Sequence, residues 1–437
     1  MNEIPPALLC DEFRNVLRDD IDFNSITHKS TKKKQRRIAD AMTQLIINTC
    51  DDFEKHKNYP AENVVRLSRQ FQKQMVRNFQ PFQQALADND FSIDHYYRPP
   101  TNTLGGITKS VIVPESKIKT TIHYLAQQSL ESVELNDEVL IEWILPQFFG
   151  EHPIPSKIKI STSVLTDYCN SMKEVGSELY KKLHLQLRLS IAQENDGWLS
   201  QNYRVSDFGR LVGTGLSSLQ TMPKTLLNEV LKGCAEVDVK TASMSLLPSI
   251  YNRVLNKTLT FPCIERYKEH STNIREVVSH SLGVDLKMVK QAYTAMGFGL
   301  RKNTKFYKKV DDTWIVPTLT EIFLGNQSKA KSFAEHKEVK GLWKEVAEIY
   351  SALSKETKST LPDYSPSQRV AYLYQHNEAE MLKVMMEFVG RSLVITKHDA
   401  IVLKSPLTNS QLRQLEDKIY QTLGFDVSLT QRILGND

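Results

Sequence analysis

What the chain lacks narrows its class before any motif is read. Its 437 positions hold no run of 18 apolar residues, so no membrane-spanning helix is expected. The opening stretch MNEIPPALLCDEF is acidic and broken by Pro5-Pro6, which argues against a secretion signal. Cysteine is scarce: Cys10, Cys50, Cys169, Cys234 and Cys263 lie far apart, with no C-x-x-C pair and no histidine at zinc-ligand spacing. An odd, dispersed set reads as reduced thiols of a cytoplasmic protein, not as disulfides or a zinc site. Neither an internal repeat nor a long low-complexity segment is present, which sets aside a solenoid.

What remains is a globular composition, 40% hydrophobic and 24% charged, long enough for two to four lobes with a substantial core. The formal net charge of +5 is modest, but its distribution is not even. Lys29, Lys32, Lys33, Lys34, Arg36 and Arg37 form one cluster, and Arg301, Lys302, Lys305, Lys308 and Lys309 form another. Such clusters suit a polyanion held by phosphate contacts, although a solvated helix face has the same composition.

Apolar residues recur at helical spacing from Ile38 to Cys50 and again at Val64, Leu67, Phe71, Met75 and Phe79, predicting a helical N-terminal lobe with a basic entrance. Residues 97–118 carry Pro-Pro and Gly-Gly and predict an exposed connection followed by a short strand. Helix is expected from Ile118 to Val139 and from Val164 to Glu194, divided by the Pro/Gly-rich segment at residues 147–156. Further on, two helices are expected around Gly283, and Met381, Leu382, Met385, Met386 and Val389 mark a buried helical stripe. A last helix, Asn409 to Leu423, precedes the strand-like FDVSLTQRIL.

The chemistry centres on residues 206–247. A Gly-Arg turn and a Leu-Gln/Pro-Lys segment lead through an amphipathic helix to a short apolar strand bearing one carboxylate, Asp238. Lys287 and Lys290 are three apart on a predicted helix, so they share a face that can hold a triphosphate. In SLVITKHDAIVL, two apolar runs flank a polar break, which predicts a hairpin whose tip displays His398 and Asp399. Two acids on neighbouring strands can share a pair of magnesium ions that activate a hydroxyl and stabilise departing pyrophosphate.

The order of these motifs resembles the palm-and-fingers core of family A DNA polymerases and the related single-subunit phage and mitochondrial RNA polymerases. SDFGR followed by LSSLQTMPK looks like the first shared motif, EVDVKTASMSLL like motif A, Lys290 through Phe298-Gly299 like motif B, and LVITKHDAIVL like motif C. The likeness covers about residues 200–437. Taken singly, an aspartate at a hairpin tip or an aromatic at a helix end is ordinary; four motifs in order carry the resemblance. It implies an α+β right-hand polymerase fold: an antiparallel palm sheet, helical fingers and a helical N-terminal or thumb-like lobe. The implied division is 1–196 for that lobe, 197–262 and 351–437 for the palm, and 263–350 for the fingers.

By the same resemblance Asp238 and Asp399 are the catalytic acids and ligands of two Mg2+ ions, with Mn2+ as a substitute. Nucleotide contacts fall to Lys290, Lys287, Phe298, Gly299 and Ser243. Template and primer contacts fall to Arg210, Gly209, Gln220 and His398, with Lys32, Lys33 and Lys34 gripping duplex through phosphates. The partners implied are a DNA template and primer or an RNA product, nucleoside triphosphates and an accessory replication or transcription protein, with no membrane. The setting implied is the cytoplasm of a bacterial host, for a phage or mobile-element enzyme. The chain departs from the pattern at Leu286, where arginine is usual, and at Phe298, where tyrosine is usual.

Two features bear on the product. Ser243 stands five residues after Asp238, where family A DNA polymerases carry a glutamate that excludes a ribose 2′-hydroxyl, so ribonucleotides could be admitted. Spacing points the other way: Lys290 follows Asp238 by 52 residues and Asp399 follows Phe298 by 101, too compact for a promoter-reading insertion. The expectation is a DNA polymerase without proofreading, since residues 1–200 show no second acidic constellation. The alternatives are an RNA polymerase or primase, an inactive nucleic-acid-binding relic and a two-metal nuclease.

Overall fold

The computed structural model describes residues 45, 64–66, 86–87, 91–96, 108–127, 139–144, 154–206, 209–300, 319–397 and 399–435. They fall into two compact units, one drawn from Met1–Ile144, Pro155–Tyr203 and Gly213–Lys232, the other from Leu145–Ile154, Arg204–Val212 and Gly233–Asp437. The architecture is α+β, with small antiparallel sheets among many helices.

In the first unit, β1 (Val64–Arg66), β2 (Ser92–Tyr96) and β3 (Thr108–Ile112) form an antiparallel sheet in the order β1-β3-β2. Val64 therefore opens a strand and not the predicted helix. Two adjacent β-branched valines suit a pleated surface, and Ile112 and Val111 lie opposite them. Helix α1 (Glu115–Gln127) buries Ile118, Ile122 and Leu125. The helix expected as far as Val139 runs to Gln127, and residues 128–138 lie outside the described residues.

Strands β4 (Ile141–Ile144) and β5 (Ile154–Lys159) flank and overlap the segment expected to be a plain break. The single helix expected from Val164 is two, α2 (Thr162–Ser171) and α3 (Gly176–Glu194), because Met172 is extended. Helix α3 carries LHLQLRLSI, an alternation that suits a strand, yet it is helical and buried on nearly all sides. Arg188 is fully buried there and held by two carbonyls and a hydroxyl: its Nε donates to the Leu216 carbonyl at 2.6 Å and Nη2 to the Ser218 carbonyl at 3.1 Å and Thr221 Oγ1 at 2.8 Å. Strand β6 (Trp198–Ser200) completes the sheet β4-β5-β6. The hairpin of β7 (Asn202–Val205) and β8 (Leu211–Thr214) follows, then α4 (Lys224–Val230), which starts after Pro223 and buries Leu226, Leu227 and Val230.

The second unit holds β9 (Ala235–Val239) and the helices α5 (Ala242–Leu255), α6 (Pro262–Leu282), α7 (Leu286–Gly297), α8 (Leu319–Ile322), α9 (Gln327–Glu335), α10 (Lys337–Glu356) and α11 (Pro366–Val389). The predicted hairpin is β10 (Leu393–Thr396) and β11 (Ala400–Leu403); α12 (Asn409–Leu423) and β12 (Leu429–Ile433) end the unit. The antiparallel sheet order is β10-β11-β9-β12, so β9 is flanked by two strands that arrive far later in sequence, Ala400 and Thr430 both standing opposite Asp238. Capping boxes start the last two helices, Ser365 with Gln368 and Thr408 with Gln411, each closing two otherwise orphaned backbone N–H groups. Helix α11 packs across β10 and β11 with the expected Met381, Met385 and Met386 buried.

Ile401, fully buried in the inner strand β11, is the natural probe of this sheet. Ile401→Ala is expected to destabilise the second unit by about 2–4 kcal/mol, read as a lower urea midpoint of the sheet-bearing transition. An unchanged midpoint would mean that the sheet does not anchor the unit.

Candidate active site

Asp238 is the fourth residue of β9, and its register partner on β11 is Ala400. Asp399, immediately before Ala400, is thereby brought beside it from a position 161 residues further along the chain. Asp238 Oδ1 is buried and accepts no hydrogen bond. Burial pushes the Asp238 carboxyl up to about 6, and the charges of Asp399 and Glu236 add to that push. An acid left with a bare oxygen next to a second acid is unfavourable unless something positive completes it.

Glu236 lies two residues before Asp238, hence on the same face of β9. Burial pushes its carboxyl up, but Lys397 and Arg432 outweigh that and hold it below its usual value. Lys397 Nζ donates to Glu236 Oε1 and Arg432 Nε to Oε2 at 2.6 Å. Glu236 is therefore already neutralised. Among the described residues, Asp238 and Asp399 have no side-chain cation bonded to them.

Helix α7 reaches α5 through small residues. A Cβ on Gly297 would stand 2.3 Å from Ser243 Oγ, so the end of α7 seats directly on the first turn of α5 only because residue 297 is glycine. Ser243 is 8% exposed in that contact. Phe298, just past the helix end, keeps 47% of its surface exposed and meets the buried Tyr374 edge-on, with centroids 5.2 Å apart. Gly299 has φ +80°, a conformation open to glycine, and packs against the Tyr350 ring. Lys287 and Lys290 sit on the exposed face of α7, opposite Val289, Ala292, Tyr293 and Met296.

Arg210 is brought in by the turn at Gly209, which has φ +86° and lies against Ala379. Its guanidinium pairs with Glu378 of α11, a side chain only 2% exposed. Gln220 belongs to the first unit, where its Oε1 accepts the Gly213 N–H at 2.6 Å. His398 and Lys32, Lys33 and Lys34 lie outside the described residues.

Glu378, Tyr374, Glu236, Lys397 and Arg432 were not anticipated. Glu236 had a signal in its i−2 relation to Asp238. Glu378 had another: with Tyr374, Met381 and Met385 it shares the 4-3-4 spacing of a buried helical stripe, where an acid needs a partner. Nothing in the sequence named that partner.

Among the described residues no group of three or more His, Cys, Asp or Glu side chains is placed to hold a metal. Two carboxylates, one with a bare oxygen, do fit Mg2+, which commonly takes one or two protein carboxylates and completes its shell with phosphate oxygens and water. Among the described residues no helix is long and apolar enough to cross a membrane. No protein-family model matches the chain, and a search of curated proteins gives no match.

The raised Asp238 value makes a stability prediction. Between the unfolded value of about 4 and about 6, the folded chain holds a proton that the unfolded chain has lost, so this group's contribution falls as pH rises and stays low above that window. Asp238→Asn removes the effect. The variant's melting temperature should match wild type near the bottom of that window and exceed it by roughly 1–3 °C at pH 7.5. A variant that melts lower at pH 7.5 would show that Asp238 is paired after all.

Proposed function

We propose that this chain is a template-directed nucleotidyltransferase of the family A polymerase type, working with two divalent ions and without proofreading. The observation that carries it is the bare, buried Oδ1 of Asp238 next to Asp399 on the adjoining strand. Taken with the four ordered motifs, that pair is what a two-ion site requires and what a purely binding protein does not.

In this reading the second unit is a right-hand palm with helical fingers. Asp238 and Asp399 hold the ions. Bound Mg2+ supplies the charge that lowers the pKa of the attacking 3′-hydroxyl and neutralises the departing pyrophosphate. Lys290 and Lys287 meet the triphosphate from the exposed face of α7. Phe298 stacks at the nascent base pair while Tyr374 braces its edge. Arg210, with Gly209 at its turn, meets the template or primer backbone. Synthesis in the cytoplasm of a host cell, from nucleoside triphosphates and with an accessory protein for processivity, completes the proposal.

DNA is the product favoured by the compact spacing of the motifs. A second reading, RNA synthesis, draws on Ser243: a short side chain with its Oγ turned toward the Gly297 backbone leaves a 2′-hydroxyl unopposed.

The test is extension of a labelled primer on a DNA template with Mg2+, with dNTPs in one tube and NTPs in another. Extension by wild type and its loss, by at least about a hundredfold, in Asp399→Asn that still binds DNA is the expected result. Extension with NTPs alone would transfer the proposal to an RNA polymerase or primase. Cleavage without nucleotides, or no extension by wild type, would sink it.

The α7 seat offers an independent check. Gly297→Ala forces the new methyl into Ser243 and should lower synthesis at least tenfold, or about 1.4 kcal/mol, while Gly297→Ala/Ser243→Gly recovers most of it. Equal activity of the single variant and wild type would detach this contact from the reaction.

A further inference from the structure

Arg210 is ion-paired to the buried Glu378, whose part the roles above leave unexplained. The two residues come from distant parts of the chain, one in mid-α11 and one on the turn before β8. The turn is built to present the arginine: Ser206 N–H donates to the Arg210 carbonyl at 2.9 Å, Ser206 Oγ accepts the Arg210 N–H at 3.1 Å, and Gly209 N–H donates to the Ser206 carbonyl at 2.9 Å. At Gly209 the backbone comes within van der Waals reach of Ala379, the residue after Glu378. Loop and helix thus meet at the ion pair and at the position beside it.

A buried pair of this kind contributes little net stability compared with apolar residues of the same size, so its retention points to a role in placing charge. Its location says which charge. Helix α11 packs on β11, which begins directly after Asp399, and one turn before Glu378 its Tyr374 supports Phe298. Burial pushes the Glu378 carboxyl up to about 7; Arg210 opposes that, and the charge of Asp399 adds to it. Burial, then Glu378 and Asp399, likewise raise the Tyr374 phenol, which Arg210 pulls down. One arginine, two carboxylates and a buried phenol therefore share a single neighbourhood.

We propose that Glu378 is a positioning residue: it ties the Arg210 guanidinium to α11 and so keeps that cation from pairing with Asp399, leaving that acid free to share a divalent ion with Asp238. The inference rests on the two-acid reading of the site. Without the Glu378 charge, the guanidinium is free to turn toward Asp399, whose charge reaches the Glu378 site, and competes there with the metal.

Titration of the full-length protein with Mn2+, followed by calorimetry at pH 7.5 without nucleic acid, tests this apart from any activity. Glu378→Gln should weaken Mn2+ binding roughly tenfold, and Glu378→Asp should largely restore it. In Arg210→Gln/Glu378→Gln, where the competing cation is gone, affinity should return to within about twofold of wild type. Arg210→Gln alone should bind Mn2+ at least as tightly as wild type, which no loss of packing would produce, and this arm stands even if Glu378→Gln does not fold.

Equal binding by Glu378→Gln and wild type, a double variant as weak as the single, or weakened binding in Arg210→Gln would each overturn the proposal. Wild-type binding that Asp238→Asn and Asp399→Asn leave unchanged would instead bring down the two-acid site itself, and this inference with it.

Discussion

Two carboxylates brought side by side by adjoining antiparallel strands, one with an oxygen that none of the described residues satisfies, are the constraint on which the second unit turns. Like charges in a half-buried site repel, and a bare carboxylate oxygen loses its hydration without replacement. The sheet has to force them together. It does so by placing β9 between β11 and β12, with Ala400 opposite Asp238 and Thr430 on its other side.

Around that pair two further acids are disarmed. Glu236, on the same strand face, is held by Lys397 and Arg432; Glu378, on the helix above β11, is held by Arg210. Among the described residues neither Asp238 nor Asp399 has a bonded side-chain cation, so a cation that arrives there does not first have to break an ion pair.

The helical half of the unit is set by shape more than by charge. Gly297 lets α7 close on Ser243, and Gly299 admits the Tyr350 ring, whose hydroxyl donates to the Gly297 carbonyl at 3.1 Å. Behind them Tyr293 stacks on Tyr267 and meets Phe333 edge-on. A rigid aromatic core therefore fixes the helix that carries Lys287, Lys290 and Phe298, while leaving the lysines on the open face.

Local pattern was enough for much of this. The apolar runs around Lys397-His398-Asp399 specified a hairpin, Asn409 to Leu423 specified a helix, and a short apolar strand around Asp238 was legible from five residues, because each depends on neighbours in sequence. Pattern failed where a distant partner outvoted it. Val64 follows a helical spacing but pairs with Ile112 in a strand, and the alternating LHLQLRLSI is a helix because neighbours cover it on nearly all sides and Arg188 finds carbonyls about thirty residues away. Asp238 and Asp399 could be picked out singly from the sequence, but that Asp238 Oδ1 goes unbonded among the described residues, that Glu236 has two cations, and that Glu378 holds Arg210 were decided only by tertiary structure. Pairing between charges is a matter of distance in space, and strand register and helix packing set those distances.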